Sequence, residues 1–326
     1  MRALSDGIAA VCCRREAKAM AKQKTSHTKY KVNVGDRVMS VLIYVIYAIF
    51  AFVCVYPFYY IFINSISNND ISARGKVLFL PKEIHFTNYA RVGQIPGLAD
   101  AFRVSIGRTV IGTALTVVIA AFLGYMFTRD TLWKRKLWFR LVAATMYFNA
   151  GIIPWFITMK NLHLTNNFWG YVLPMAVQPF YIILCKTFVE SVPHELQDAA
   201  EIDGAGTLKV FFYIIVPVIK PILATIAIFA AVAQWNAFQD TLLLVTDPKL
   251  YTLQFVLYQY INQASSLKSL VNNATSGNLA ASLAHAQTAT SIRMTVSVVV
   301  VTPIMLVYPF FQRYFTKGIM IGAVKG

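Results

Sequence analysis

Charge is scarce in this sequence, and acidic charge scarcest of all: 13% of its 326 residues are charged, and Asp and Glu together number 14. Soluble globular chains carry roughly 25% charge, so a composition that is 57% hydrophobic excludes an ordinary water-soluble domain. Cysteine is equally sparse, confined to Cys12, Cys13, Cys54 and Cys185. No CxxC or Cys/His spacing occurs among them, so neither a disulfide framework nor a thiolate metal site is implied. The five histidines, His27, His85, His163, His194 and His285, form no two-ligand spacing, and neither a metal nor hydrolytic catalysis is expected. No GxxxxGK[ST] phosphate loop is found, and the glycines between Gly318 and Gly326 lack its spacing. The chain is expected to be no enzyme and to hold no cofactor of its own.

What the sequence has in abundance is apolar length. Six segments, at 38–64, 106–128, 138–159, 167–189, 213–236 and 291–312, are each near the ~20 residues that cross ~30 Å of hydrocarbon as helix. An all-α polytopic membrane protein with six transmembrane helices is expected. Residues 1–37 are polar and basic and lack the apolar core and small-residue cleavage site of a secretory signal. Met20 begins the string Met20-Ala21-Lys22-Gln23-Lys24, suited to a chain start, and residues 1–19 read equally as a disordered tail or as an extension before it.

With both termini inside, about 20 of the 30 Lys and Arg face the cytoplasm, including Arg129, Lys134, Arg135, Lys136 and Arg140, as the positive-inside bias requires. The chain then divides into a cytoplasmic N-terminal tail at 1–37, a transmembrane domain at 38–312 and a cytoplasmic C-terminal tail at 313–326. External loops are expected at 65–105 and 237–288, and a cytoplasmic loop at 190–212. The net charge of +16 is scattered in short runs between apolar segments, which argues against nucleic acid as a partner and for a lipid membrane.

The interiors of the spans lack Asp and Glu; Asp130, Glu190 and Asp240 sit at or beyond their ends. Proton-driven carriers need intramembrane carboxylates or histidines despite an insertion cost of about 2.5–3.5 kcal/mol each, so their absence argues against such a carrier. Arg108 and Arg293, near the outer ends of two spans, are expected to snorkel to the headgroups. Pro57, Pro154, Pro174 and Pro303 lie in or near spans and free backbone carbonyls there. Tyr251, Leu253, Phe255, Leu257, Tyr258 and Ile261 suggest an amphipathic surface helix, which either packs on the bundle or docks an external partner.

The most informative stretch runs from Pro193 to Gly206. Pro193 suits a first helical position, Glu195 and Asp198 complement the positive dipole end, and Gly204 supplies a left-handed terminator. Leu196, Ala199, Ala200 and Asp203 share one face, with Glu195 and Asp198 on a neighbouring strip. A second short helix from near Thr207 would return the chain to the membrane at Ile214-Ile215-Val216-Pro217, making an elbow.

This stretch resembles the "EAA" loop of ABC-importer permeases: Glu-Ala-Ala, three residues, Gly, nine residues, Ile, any residue, Leu, Pro. Asp198-Ala199-Ala200, Gly204 and Ile214 to Pro217 keep the spacing, with Asp198 in place of Glu and Val216 in place of Leu. Within that family the chain is similar to the carbohydrate-uptake branch, second permease of complex or oligomeric sugar systems. That likeness rests on Tyr56-Pro57-Phe58-Tyr59-Tyr60, Ile202-Asp203-Gly204-Ala205, Gln234-Trp235-Asn236 and the string from Lys317 to Gly326.

The resemblance implies the type I ABC importer permease fold and import of a carbohydrate, with an oligosaccharide as the expected cargo. It also implies a second permease, a cytoplasmic ATPase dimer that binds and hydrolyses the ATP, and an external sugar-binding protein as partners. Glu195, Asp198, Ala199, Ala200, Asp203, Gly204 and Pro217 would form the coupling element, with Asp198 pairing a basic ATPase residue. The alternatives are a permease for another small solute or a secondary carrier. Sugars are held by aromatic faces and amides, which makes Tyr147, Asn149, Gln178, Gln234, Trp235 and Asn236 candidate pathway residues, with Phe148 and Trp155 beside them; Trp155 and Trp235 read more readily as interfacial anchors than as ligand contacts.

Overall fold

A computed structural model describes residues 34–273, 290–307 and 309. Most of the expected N-terminal tail, the part of the expected loop at 237–288 beyond 273, the expected tail at 313–326 with its string from Lys317, and Cys12, Cys13, His27 and His285 lie outside the described residues. Every regular element among the described residues is helical. The chain divides into two units, 1–57 and 58–326. Helix α1, Val34–Ser65, supplies the described part of the first unit, with a mean hydropathy of 2.7 and Pro57 within it.

In the second unit the polar residues that follow α1 are not left to water. Helices α2 (Asn69–Ala73) and α3 (Thr87–Gly93) form a cap in which Asn64, Ser65, Ser67, Ser72 and Asn88 are buried. Asn64 donates to Val77 O at 3.3 Å and accepts from Ser72 Oγ at 2.7 Å, and Asn88 donates to Ser65 O at 3.1 Å. Buried polar groups persist only when hydrogen-bonded, and these side chains satisfy one another and the turning backbone.

Helix α4, Leu98–Met126, is the centre of this unit and is built inside out by the standards of a soluble helix. Its buried face is small and polar, with Ala101, Ser105, Gly112, Thr116, Ala120 and Gly124, while Phe102, Ile106, Val110, Ile111 and Val118 are exposed. Lipid tails are as apolar as Leu, so helices in a bilayer gain from close approach of small surfaces rather than from hiding aliphatic ones. At Gly124 a Cβ would stand 2.9 Å from Cys185 Cβ and 3.0 Å from Lys186 N, which fixes how near α4 lies to the helix carrying Cys185.

The third expected span is not one helix. It is broken into α5, Arg135–Thr145, and α6, Ile152–Asn161, each about 15 Å long at 1.5 Å per residue and too short to cross a bilayer alone. The reason is local: Asn149 Oδ1 accepts from Gly151 N at 2.9 Å, and Gly151 sits at φ 86°, ψ 177°, a conformation essentially reserved for glycine.

The fourth expected span is bent by 45° between α7, Trp169–Ala176, and α8, Pro179–Glu190. Val177 and Gln178 are extended because a residue before proline is pushed from the helical region. The carbonyl freed at Met175 accepts from Thr116 Oγ1 at 3.2 Å.

Beyond α8 come α9, Glu195–Ile202, and α10, Thr207–Val218, which includes a π-helical turn at Phe211–Ile215. Helix α10 meets α11, Lys220–Asn236, at an 80° bend. The expected span at 213–236 therefore straightens only from Lys220. Pro221, lacking an N–H, cannot close on the preceding turn, and Ile219 takes φ −85°, ψ 6° at the joint.

Helices α12 (Gln239–Leu244), α13 (Leu253–Asn273) and α14 (Thr290–Val307) complete the described unit. The aromatic run of α13 packs inward: Leu253, Val256 and Leu257 join Ala101, Trp235, Val296 and Val300 in one buried cluster. Among the described residues three helices, α1, α4 and α14, are each long and apolar enough to cross a membrane, and the count rises to five if the two bent pairs are single spans.

Candidate functional site

Two regions about 30 Å apart along α4, at 1.5 Å per residue, gather most of the residues singled out above: an elbow beyond Arg129 and a cleft beside Arg108.

The elbow is α9 and α10. Pro193 lies before the helix rather than at its first position, since α9 opens at Glu195 with His194 as its cap; Glu195 and Asp198 occupy the first turn and offset the exposed N–H groups there. At the other end Gly204, at φ 78°, accepts the left-handed conformation, donating to Glu201 O at 3.0 Å while Ala205 N donates to Ala200 O at 2.9 Å. These two bonds make a Schellman stop. Helix α10 begins at Thr207, so the expected elbow is present.

Its polar side chains divide by whether they are paired. Gln197 is buried, and its Oε1 accepts from Arg129 Nη1 at 3.2 Å; Glu201 pairs with Arg129 Nη2. Glu195, Asp198 and Asp203 are exposed and make no ion pair among the described residues. Ala199 is exposed beside them, whereas Ala200 and Ala205 pack against a buried cluster of Tyr125, Val210, Phe211 and Ile215. Two large side chains of the elbow are turned outward, Ile202 on α9 at 85% exposed and Tyr213 on α10 at 81%. Pro217 is exposed next to the 80° joint.

The cleft, of about 710 Å³, is bounded by Asn149, Trp155, Met175, Asn236, Gln239 and Asp240, with Phe238 among its remaining walls. Of the six candidate pathway residues, it brings together Asn149 and Asn236, with Trp155 from the same expected span. Tyr147 is exposed in the break between α5 and α6, Gln178 lies in the α7–α8 break, and neither lines the cleft. Trp235 is a packing residue whose Nε1 donates to Val300 O at 3.1 Å.

Gln234 is buried for a different reason, and it shows what sequence reasoning missed. Arg108 does not snorkel; it is fully buried. Its guanidinium donates to Asp240 Oδ1 and Oδ2 at 3.2 and 2.5 Å, to Ala237 O at 3.2 Å and to Gln234 Oε1 at 3.2 and 3.3 Å, and lies 4.6 Å from the centroid of the Tyr171 ring. A planar fork with five donors suits such convergence, which a lysine could not copy. The signal available in the sequence was a pair of opposite charges, Arg108 and Asp240, each just inside or beyond an apolar segment.

Residues 25–321 match the family described as "Binding-protein-dependent transport system inner membrane component". The polygalacturonan/rhamnogalacturonan transport system permease protein YtcP of Bacillus subtilis is 33% identical over 89% of this chain and 99% of its own length. Protein LplC of the same organism is 35% identical over 84% and 90%, respectively. The arabinooligosaccharides transport system permease protein AraQ of Halalkalibacterium halodurans is 27% identical over 89% and 98%. Among solved structures, a bacterial ABC transporter involved in import of the acidic polysaccharide alginate contains a chain that matches with a TM-score of 0.75 and 29% identity, covering 87% of this chain and 98% of that one. With that match spanning the elbow, the cleft and the helices between them, the chain belongs to the inner-membrane components of binding-protein-dependent transport systems, as a transport subunit and not an enzyme.

Proposed function

We propose that this permease imports a carbohydrate, an oligosaccharide in particular, across the cytoplasmic membrane, as one half of a heterodimer with a second permease. In this reading a cytoplasmic ATPase dimer binds and hydrolyses the ATP, an extracytoplasmic binding protein delivers the sugar, both termini lie in the cytoplasm, and the chain holds no cofactor. The observation that carries the coupling role is the division of the elbow's acids: Glu201 is fastened to Arg129, which also holds the Gln197 amide, while Glu195, Asp198 and Asp203 face outward unpaired among the described residues. A free acidic strip next to the exposed Ile202 offers a basic, partly apolar cleft on a motor protein both charge and contact area. The small Ala199 allows close approach, Ala200 seats α9 on the bundle, Gly204 stops it, and Pro217 lies where the motion would enter the membrane helices.

The cargo reading rests on the relatives, whose names specify saccharides, and on the cleft. Its 710 Å³ falls in the range of small-molecule sites. Trp155 presents an aromatic face and Asn149, Asn236 and Gln239 present amides, the chemistry that holds a pyranose by its C–H face and its hydroxyls.

Reconstitution of the four-component transporter in liposomes tests both halves. Asp198→Lys reverses the charge offered to the motor and is expected to lower ATP-dependent uptake at least about tenfold, since like charges across an interface cost several kcal/mol, with the membrane level of the protein unchanged. Normal uptake by this variant defeats the coupling assignment. Trp155→Ala is expected to raise the half-saturating sugar concentration about fivefold, the loss of roughly 1 kcal/mol of aromatic contact, and an unchanged value removes the cleft from the pathway.

A further inference from the structure

Arg129 lies in the turn just past α4, and its guanidinium makes three contacts that tie α9 to α4. It donates to Gln197 Oε1 at 3.2 Å, pairs with Glu201 of the same face of α9, and lies 5.8 Å from the centroid of the Tyr125 ring on the last turn of α4. Gln197 and Glu201 are four residues apart, so both project to one side of α9, with Asp198 on the neighbouring strip. The arginine side chain is 14% exposed and that of Glu201 41%. The turn carrying Arg129 is itself held, since Arg135 donates to Thr128 O at 2.8 Å and pairs with Asp130 at 2.6 Å.

A partly exposed ion pair contributes little to stability, typically ~0–1 kcal/mol. What this one supplies is geometry, for a planar fork that engages two acceptors on one helix face fixes that helix in rotation as well as position. Near this fork, α9 meets the bundle through Ala200, Ala205 and the Schellman turn, small contacts that allow it to roll.

We infer that Arg129 is a positioning residue for coupling: it clamps the back of α9 to the end of α4, so that displacement of the elbow moves α4 and, 30 Å away, the Arg108 network at the cleft. The inference rests on the proposed docking of α9 to an ATPase. It assigns the chain's side of that junction to Arg129, Gln197 and Glu201, none of which occupies a specified position of the sequence motif.

The test uses the complete transporter in liposomes, reading ATP hydrolysis, sugar uptake and co-purification of the ATPase in the same preparations. Arg129→Ala and Glu201→Ala are each expected to keep the ATPase bound while sugar moved per ATP falls about tenfold, a typical size for coupling between sites. Arg129→Lys keeps the charge but not the fork and should fall between. The exchanged pair, Arg129→Glu with Glu201→Arg, should recover at least about half of the coupling ratio lost. An unchanged ratio in Glu201→Ala overturns the inference, as does loss of uptake and hydrolysis in strict proportion in both single variants with no recovery in the exchanged pair. Failure of the docking reading looks different: Asp198→Lys would then retain both the ATPase and uptake, whatever Arg129 does.

Discussion

Replacing Arg108 with alanine is expected to lower the apparent melting temperature of the detergent-solubilised protein by on the order of 10 °C, because removal of one partner from a buried ion pair costs about 3–5 kcal/mol. Three groups depend on that guanidinium. Asp240, whose side chain is 11% exposed, would be left with no cation beside it; Gln234 would lose its partner in a site where its Nε2 already has none among the described residues; and Ala237 O would be orphaned. Arg108→Lys should recover less than half of the loss, since an ammonium group cannot reach the carboxylate, the amide and the carbonyl together. Replacing both charges, Arg108→Met with Asp240→Leu, should restore much of the stability, as apolar substitution of a whole buried pair often does. A shift below about 2 °C in Arg108→Ala would show that Asp240 finds water and that the pair is not closed off.

Gly124→Leu should have an effect of comparable size by a steric route. A Cβ at this position already falls within 2.9 Å of Cys185 Cβ and 3.0 Å of a backbone nitrogen, and neither atom can swing away as a flexible side-chain tip would. Overpacking typically costs about 1–3 kcal/mol, and four added carbons against the α8 backbone place this variant at the upper end of that range or beyond it. Cys185 reports the outcome directly, being fully buried. In a background with Cys12, Cys13 and Cys54 changed to Ser, it should react slowly with a maleimide, and Gly124→Leu should accelerate that reaction at least about tenfold as the helices separate. Equal rates would mean that α4 and α8 are not in close packing at this level.

What the sequence made legible follows from how local the physics is. Apolar length located α1, α4 and α14, because hydrocarbon thickness dictates it. The elbow was readable almost residue by residue, since dipole-compensating acids and a left-handed Gly204 act within a few positions. Breaks were harder. Gly151 ends a helix only together with the Asn149 side chain, and the 80° turn at Ile219 depends on Pro221 and on a π-turn that no periodicity announces. Least legible were contacts that join distant parts of the chain: Arg108 to Asp240 spans 132 residues and Arg129 to Glu201 spans 72. An arginine near a membrane boundary reads the same whether it reaches for lipid headgroups or for a carboxylate on another helix, and only the packing decides. The cleft likewise draws Asn149 and Trp155 from one expected span and Asn236 from another while excluding Tyr147, Gln178 and Trp235, which share their composition.

The near-right-angle joint between α10 and α11 behaves as a bell crank. A stroke along the α10 axis arrives at α11 almost wholly as sideways sweep, with little thrust along its length. Helices slide lengthwise only by breaking interdigitated side-chain rows, yet tilt about a fixed end with those rows intact. Wherever a motor grips this protein, the gearing at Ile219 favours swinging the α11 wall of the cleft over driving it like a piston.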